Sequence, residues 1–375
     1  MKRIWWIPVS LLLLAGCVPS ASDEAEVLST EEEAETAIIP SIQLDDRYYR
    51  TLLPYKQSAT RGTIINRLNS RYDIEEAEDG LLRLSQRQFS PDDYYFQEGQ
   101  KITREDASAW LSRKSKENGL GLNAADSRDA KAKEAGDRPS PEILAHIVEQ
   151  NYLVKTDKET IRLGGVSIGL ALNSIYYNSI DEVSYEESIP QAQLDKEGKR
   201  MAAEIIKRLR EKEGMKDIPI TVGLFKQSSR GAIAPGTYFA FGVAPGGEND
   251  VANWTPVKEE FVIFPTSGSE DKYRDVDTSF RNFKMDVEEY FSNFTSVIGT
   301  GFYQEDQLRS LKVDIPVQFY GSAELIGFTQ YLTGLVLEHF PENIEVEVSV
   351  TSTNGPEALV IRKAGQTEPI VHIYD

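Results

Sequence analysis

The only cysteine of the chain, Cys17, directly follows Leu14-Ala15-Gly16 at the end of an apolar run. A thiolate is the natural acceptor for a diacylglyceryl group. Small residues before it leave room for a peptidase to cut the bond that makes Cys17 the new N-terminus. The four residues match the lipobox pattern L-[AS]-[GA]-C at each position. Lys2 and Arg3 form a short positive start, and Ile4 to Ala15 form an apolar stretch of 12 residues, a secretory signal too short to span a membrane permanently. A disulfide would need a second cysteine, and the sequence has none. Cys17 is therefore the expected lipid attachment site. At about 0.8 kcal/mol per buried methylene, two acyl chains would hold the protein stably on the outer face of the cytoplasmic membrane.

The remaining reactive residues point to no enzyme chemistry. His146, His339 and His372 each lie in an apolar pattern without a His, Cys or Glu at metal-ligand spacing, so structural roles are expected. No G-x-S-x-G elbow supplies a serine nucleophile, and Cys17 is consumed by lipid. The acidic run Asp73, Glu75, Glu76, Glu78, Asp79 lacks the alternation, glycine and terminal glutamate of a calcium loop and reads as a solvated helix face. Asp92-Asp93 beside Tyr94, Tyr95 and Phe96 is the nearest approach to a glycosidase carboxylate pair. A turn into a buried aromatic strand accounts for it better. Gly119 to Asn123, GLGLN, has neither the strand nor the helix of a phosphate loop around it. No catalytic residue, metal ligand or cofactor is expected.

These residues must be carried by an exported, acidic body. Without Lys2 and Arg3 the chain keeps 39 basic against 60 acidic residues, a net charge of −21, so nucleic acid is excluded as a partner. After the signal peptide, residues 1–16, the stretch to Leu44 carries seven acidic residues and no Lys or Arg, and reads as a lipidated, disordered tether over 17–44. As a coil it would reach about 30 Å. Residues 45–117 read as an N-terminal α+β domain, with Ile64, Ile65 and Leu68 at helical spacing and a capping box at Thr103 to Asp106. Asn118 to Ser140, poor in large apolar residues, reads as a linker or exposed loop.

Residues 141–375 read as a C-terminal α+β domain in which a β-α-β-β plan occurs twice, over about 160–250 and 305–375. Gly164 to Asn173 forms the first strand of one unit. A helix follows with Met201, Ala202, Ile205, Ile206 and Leu209 on one face, then strands at Ile218 to Leu224 and Tyr238 to Val243. Leu311 to Tyr320, a helix from Ser322, the strictly alternating Ile344 to Thr351, Leu359 to Arg362 and Ile370 to Tyr374 form the other. The insertion Ser174 to Asp195 distinguishes the first. Between the units, Val257 to Phe264 reads as a strand and Phe283 to Phe294 as an aromatic helix stripe, which belongs to a core or lines a groove. The fold class is α+β, with mixed or antiparallel sheets covered by helices.

YRTLLPYKQSATRG (Tyr49 to Gly62), NSRYDIEEAEDGLLRLSQRQFSPDDYYFQEGQ (Asn69 to Gln100), GTYFAFG (Gly236 to Gly242) and DIPVQFYGSAELIGFTQYL (Asp314 to Leu332), taken with the lipobox, resemble the CamS family of Gram-positive lipoproteins. This family comprises the precursors associated with the sex pheromone cAM373. The resemblance spans nearly the whole mature chain. It implies a short hydrophobic pheromone trimmed from the signal sequence, and a lipoprotein body whose role is not established. Val9 to Gly16 has the apolar character of such peptides but differs from the cAM373 heptapeptide. Three function classes follow: an extracytoplasmic module that binds an unknown extracellular or cell-wall ligand, a source of a signal-derived peptide, and a cell-wall glycan hydrolase. The first is preferred, with the membrane itself as a partner through the lipid on Cys17.

Overall fold

Two long strands, β5 (Leu144–Lys155) and β6 (Thr160–Leu172), are the spine of the first half of the chain. The first ten residues of β5 and the last eight of β6 are buried, as strands covered on both faces must be. The computed structural model describes residues 25–30, 36–45, 47–61, 68–126, 128, 137–156, 160–180, 182–268, 271–290, 296–318 and 321–374. Cys17 lies outside them, as do Ile64, Ile65, Phe291 and Phe294. Among the described residues no helix is long and apolar enough to cross a membrane.

Around this spine a nine-stranded sheet adds β1 (Ala25–Thr30), β2 (Thr36–Pro40), β3 (Arg50–Thr51), β4 (Tyr95–Glu98), β9 (Ile220–Lys226), β10 (Thr237–Ala244) and β11 (Trp254–Pro256). Helix α1 (Arg71–Ser85) covers one face, packing Ala77, Leu81 and Leu84 against Phe225 and Tyr238. Its Gly80 lets it sit close, because a Cβ there would come within 2.9 Å of the Tyr238 ring. Helices α2 (Arg104–Leu111) and α3 (Gln191–Arg210) cover the other, setting Trp110, Met201 and Ile205 against Ile168 and Val222. The capping box read at Thr103 is formed, with Asp106 as its acidic member. A separate hairpin, β7 (Ile175–Ile180) and β8 (Val183–Ser188), occupies the insertion expected between Ser174 and Asp195.

The second half is a six-stranded sheet of β12 (Glu259–Phe264), β13 (Ile298–Gln304), β14 (Gln307–Pro316), β15 (Glu345–Ser352), β16 (Gly355–Arg362) and β17 (Ile370–Ile373). Helices α4 (Arg274–Tyr290) and α5 (Ser322–His339) cover one face, with Phe280, Phe283, Phe328 and Leu332 in the core. Of the described part of the stripe, Phe283 and Val287 are core, while Tyr290 is exposed and stacks on Tyr331.

The two halves repeat one topology. Strands run β4-β5-β6-β9-β10-β11 in the first and β12-β13-β14-β15-β16-β17 in the second. In both, the successive pairings are antiparallel, antiparallel, parallel, antiparallel and antiparallel. In both, one helix follows the first strand and another makes the parallel crossover. The β-α-β-β duplication read from the sequence is thus the centre of a larger repeat.

Three expectations are corrected. Residues 45–117 do not form a domain of their own: β3 and β4 belong to the same sheet as β5, and α1 packs on β10, so the division falls at Val257-Lys258, between β11 and β12. The tether does not extend to Leu44, because β2 pairs with β1, β1 pairs with β6, and Ile39 is buried with Leu52, Tyr95 and Leu153. Ile39 gives the segment apolar surface to bury there, while Ile38 is 38% exposed. The segment 118–140 is no free linker at its start. Buried Asn123 donates to the carbonyls of Leu111 and Leu144 and accepts from the N–H groups of Ile143 and Leu144.

Candidate functional site

Between α1, the sheet and the segment leading through β3 lies a cavity of about 270 Å³. Its apolar wall is Tyr48, Tyr49, Leu82 and Phe96, and its polar wall includes Arg61, Glu78, Asp79, Glu98, His146 and Glu149. Tyr49 is braced from behind. Tyr49 donates its hydroxyl to the Phe89 carbonyl at 2.5 Å and packs 5.1 Å from Tyr152, while Phe89 stacks on Tyr152 at 4.5 Å.

Each acid of the cavity is held differently. Glu149, on β5, is buried and accepts from three successive backbone N–H groups, Gln100, Lys101 and Ile102, at 2.8 to 3.1 Å. Burial pushes its carboxyl up and those three bonds pull it back only partly. Gly99 makes the arrangement possible, since any Cβ there would overlap the Glu149 side chain at 2.3 Å. Glu98, on β4, is desolvated too, but Arg61, the Ser58 N–H and the Tyr55 hydroxyl outweigh burial and hold it below the usual carboxylate range. Glu78, on α1, is raised by burial, with Arg61 at 3.4 Å opposing and Glu98 adding repulsion. Asp79, one residue on, is exposed at the rim and makes no hydrogen bond or ion pair among the described residues.

The acidic run is therefore not a solvated helix face. Of its five members only Glu75 and Asp79 are exposed. Asp73 is buried and accepts from the N–H groups of Ser228 and Gly236, pinning the start of α1 to the β9–β10 connection. Glu76 faces the other half of the molecule. It meets Arg83 at 2.5 Å, and Arg83 meets Glu259 of β12 at 2.8 Å while its guanidinium lies 4.5 Å over the Phe302 ring. Burial, opposed by Arg83 and reinforced by Glu259, pushes Glu76 up to about 7. Two further ion pairs, Arg47–Glu345 and Lys363–Asp45, cross between the halves.

The other sequence candidates are scattered. Asp92 and Asp93 are exposed in a turn, and the Tyr94-Tyr95-Phe96 that follows enters β4 and the aromatic cluster, so the glycosidase pair is not assembled there. His146 lines the cavity, His339 meets Asp286 at 2.6 Å between α5 and α4, and His372 packs edge-on to Tyr374. Among the described residues no group of three metal-ligating side chains comes together. GLGLN is held down by Arg200 and Arg208, which donate to the Leu122 and Leu120 carbonyls. No spacing rule pointed to the cavity, because its walls come from Tyr48–Arg61, α1, β4 and β5.

A family model described as CamS sex pheromone cAM373 precursor matches residues 55–368. The chain belongs to the CamS family. Two solved structures agree with that membership. The crystal structure of a sex pheromone precursor from Lactobacillus salivarius subsp. salivarius UCC118 is 28% identical, with a TM-score of 0.83 over 89% of this chain and 98% of that one. The C-terminal domain of the sex pheromone staph-cAM373 precursor from Staphylococcus aureus is 29% identical, with a TM-score of 0.71 over 82% and 99%. No curated protein sequence matches this CamS chain. The match to CamS structures also bears out the α+β class read from the sequence.

Proposed function

We propose that this CamS-family chain is a lipoprotein, anchored through Cys17 on the outer face of the cytoplasmic membrane, whose body works by binding rather than by catalysis. The observation that carries the binding reading is the cavity, a concave site with an aromatic wall and a few convergent polar groups, built from α1, β4, β5 and the Tyr48–Arg61 segment. Its volume of about 270 Å³ lies just below the range of ligand sites, about 300–1,000 Å³, so it suits one residue-sized group of a larger ligand. A fragment screen read by NMR on the Tyr48 and Tyr49 rings tests this. Thr51→Phe, which fills the cavity, should remove the hits while leaving the melting temperature within a few degrees. Hits that persist in that variant would place binding elsewhere. The anchor has its own test: Cys17→Ser should abolish fatty-acid labelling and leave the precursor uncleaved, and a diacylated mature mass in that variant would refute it.

A second reading is favoured by the pheromone-precursor description of the family model and by the apolar stretch before Cys17. In it the active product is a peptide trimmed from the signal, ending at Gly16. Synthetic Val9–Gly16 should then raise plasmid transfer in a conjugation assay; a flat dose response removes this reading.

A further inference from the structure

We propose that the cavity takes a cationic group, the ammonium or guanidinium end of its ligand, between Glu78 and Asp79, with the carbon stem against Tyr48, Tyr49 and Phe96. This rests on the reading of the cavity as the binding site. Four carboxylates line the cavity, against one guanidinium. Two of them are satisfied from within the fold: Glu149 by three backbone N–H groups, and Glu98 by Arg61, Tyr55 and Ser58. Arg61 is thereby committed to Glu98 and reaches Glu78 only at 3.4 Å. Among the described residues Asp79 has no bonded partner, and the cations that act on it from farther off are Arg83, committed to Glu76 and Glu259, and Lys312.

Glu78, which only shares Arg61 with Glu98, and Asp79 are adjacent on α1 and line the same cavity as the aromatic rings. Tyr48 is 49% exposed, and its ring already takes one cation, the Arg47 guanidinium 5.8 Å from its centroid. A cation beside an aromatic face gains from the ring quadrupole, and more so where water is partly excluded. An anionic group would meet net negative charge on entry. A neutral sugar would leave the paired charge of Glu78 and Asp79 unanswered. The ligand chemistry is thus a basic side chain of a peptide or a free organic amine.

The test uses the full chain in detergent micelles, with lysinamide, argininamide, spermidine, N-acetylglucosamine and acetate as probes, read by NMR titration of the Tyr48 and Tyr49 rings. The cationic probes should bind at least tenfold tighter than the neutral and anionic ones and weaken several-fold between 50 and 300 mM salt. The amides binding above spermidine identify a peptide side chain as the source, and the reverse order a free polyamine. Glu78→Gln with Asp79→Asn should lower cation affinity at least tenfold at an unchanged melting temperature. Arg61→Gln, which removes the competing cation, should raise it, an effect that structural damage would not produce. Tighter binding of N-acetylglucosamine or acetate at the same rings would overturn the cationic assignment and leave the binding reading standing. No shift of those rings with any probe, and none with a wider fragment set, would overturn both.

Discussion

The two halves of the molecule share strand order, pairing sense and helix placement, yet only the first carries the cavity described here. The second is a two-layer unit. In β15, residues alternate between buried Val346, Val348 and Val350 and half-exposed Glu345, Glu347 and Ser349, so no helix covers the second face of this strand as α1 covers the first sheet. In the first half the corresponding face is covered by α1, which precedes the repeat, and β3 extends the sheet edge beside it. The additions change what the central strands are made of. β5 and β6 bury both faces, and the polar residues on them, Glu149, Gln150 and Ser167, must all find partners inside the protein. The comparison teaches that the repeat supplies a scaffold, and that the site arises where extra elements close over it.

The largest test of this comparison is at the junction. Arg83→Met leaves Glu259, whose side chain is fully buried, and the mostly buried Glu76 without their cation. Breaking a buried ion pair from one side costs about 3–5 kcal/mol, and denaturant unfolding should show that loss. A change below about 1 kcal/mol would mean the halves are held by something else.

A smaller effect comes from pH. Glu76 is pushed up to about 7, above its ordinary value of 4.5, so the folded chain binds more protons than the unfolded chain between those values. Its contribution to stability is therefore fully present below about 4.5 and is lost as pH rises through 7. Glu76→Gln should remove this term. The stability difference between variant and parent should move in the variant's favour by up to about 3 kcal/mol from pH 4.5 to pH 8. Parallel pH curves for the two proteins would count against burial as the dominant influence on Glu76.

The smallest effect concerns the one insertion that separates the repeats. Ser174 and Ile189 are already bonded, the Ile189 N–H donating to the Ser174 carbonyl at 2.9 Å, so residues 175–188 can be replaced by a short glycine turn. The loss should be about 1–2 kcal/mol, chiefly from Tyr176, whose hydroxyl accepts from Arg113 and whose ring joins the core. Collapse of the fold on excision would make the hairpin a structural part of the first unit.

Regular elements were legible to the extent that their signal is local. The Met201 to Leu209 stripe and the alternation from Ile344 to Thr351 are side-chain periods contained in one element, and both appear as read, apart from the earlier start of α3 at Gln191. The aromatic strand read after Asp93 is β4, but its place in the main sheet, with β3 beside it, was missed because pairing partners are not a local signal. The acidic run was misread for a related reason: the partners of Asp73 and Glu76 are Ser228, Gly236 and Arg83, and two of these three lie more than 150 residues away.

From the sequence alone came the expectation of lipid at Cys17, the α+β class, the duplicated unit with its insertion, and the resemblance to CamS, all of which depend on the order of neighbouring residues. Tertiary structure alone decided where the chain divides, which acids are buried, and that Tyr49, Arg61, Glu78, Glu98 and Glu149 share one cavity. The reason is physical. The environment of a carboxylate is set by the groups that exclude water from it and bond to it, and in a sheet those groups come from strands and helices distant along the chain.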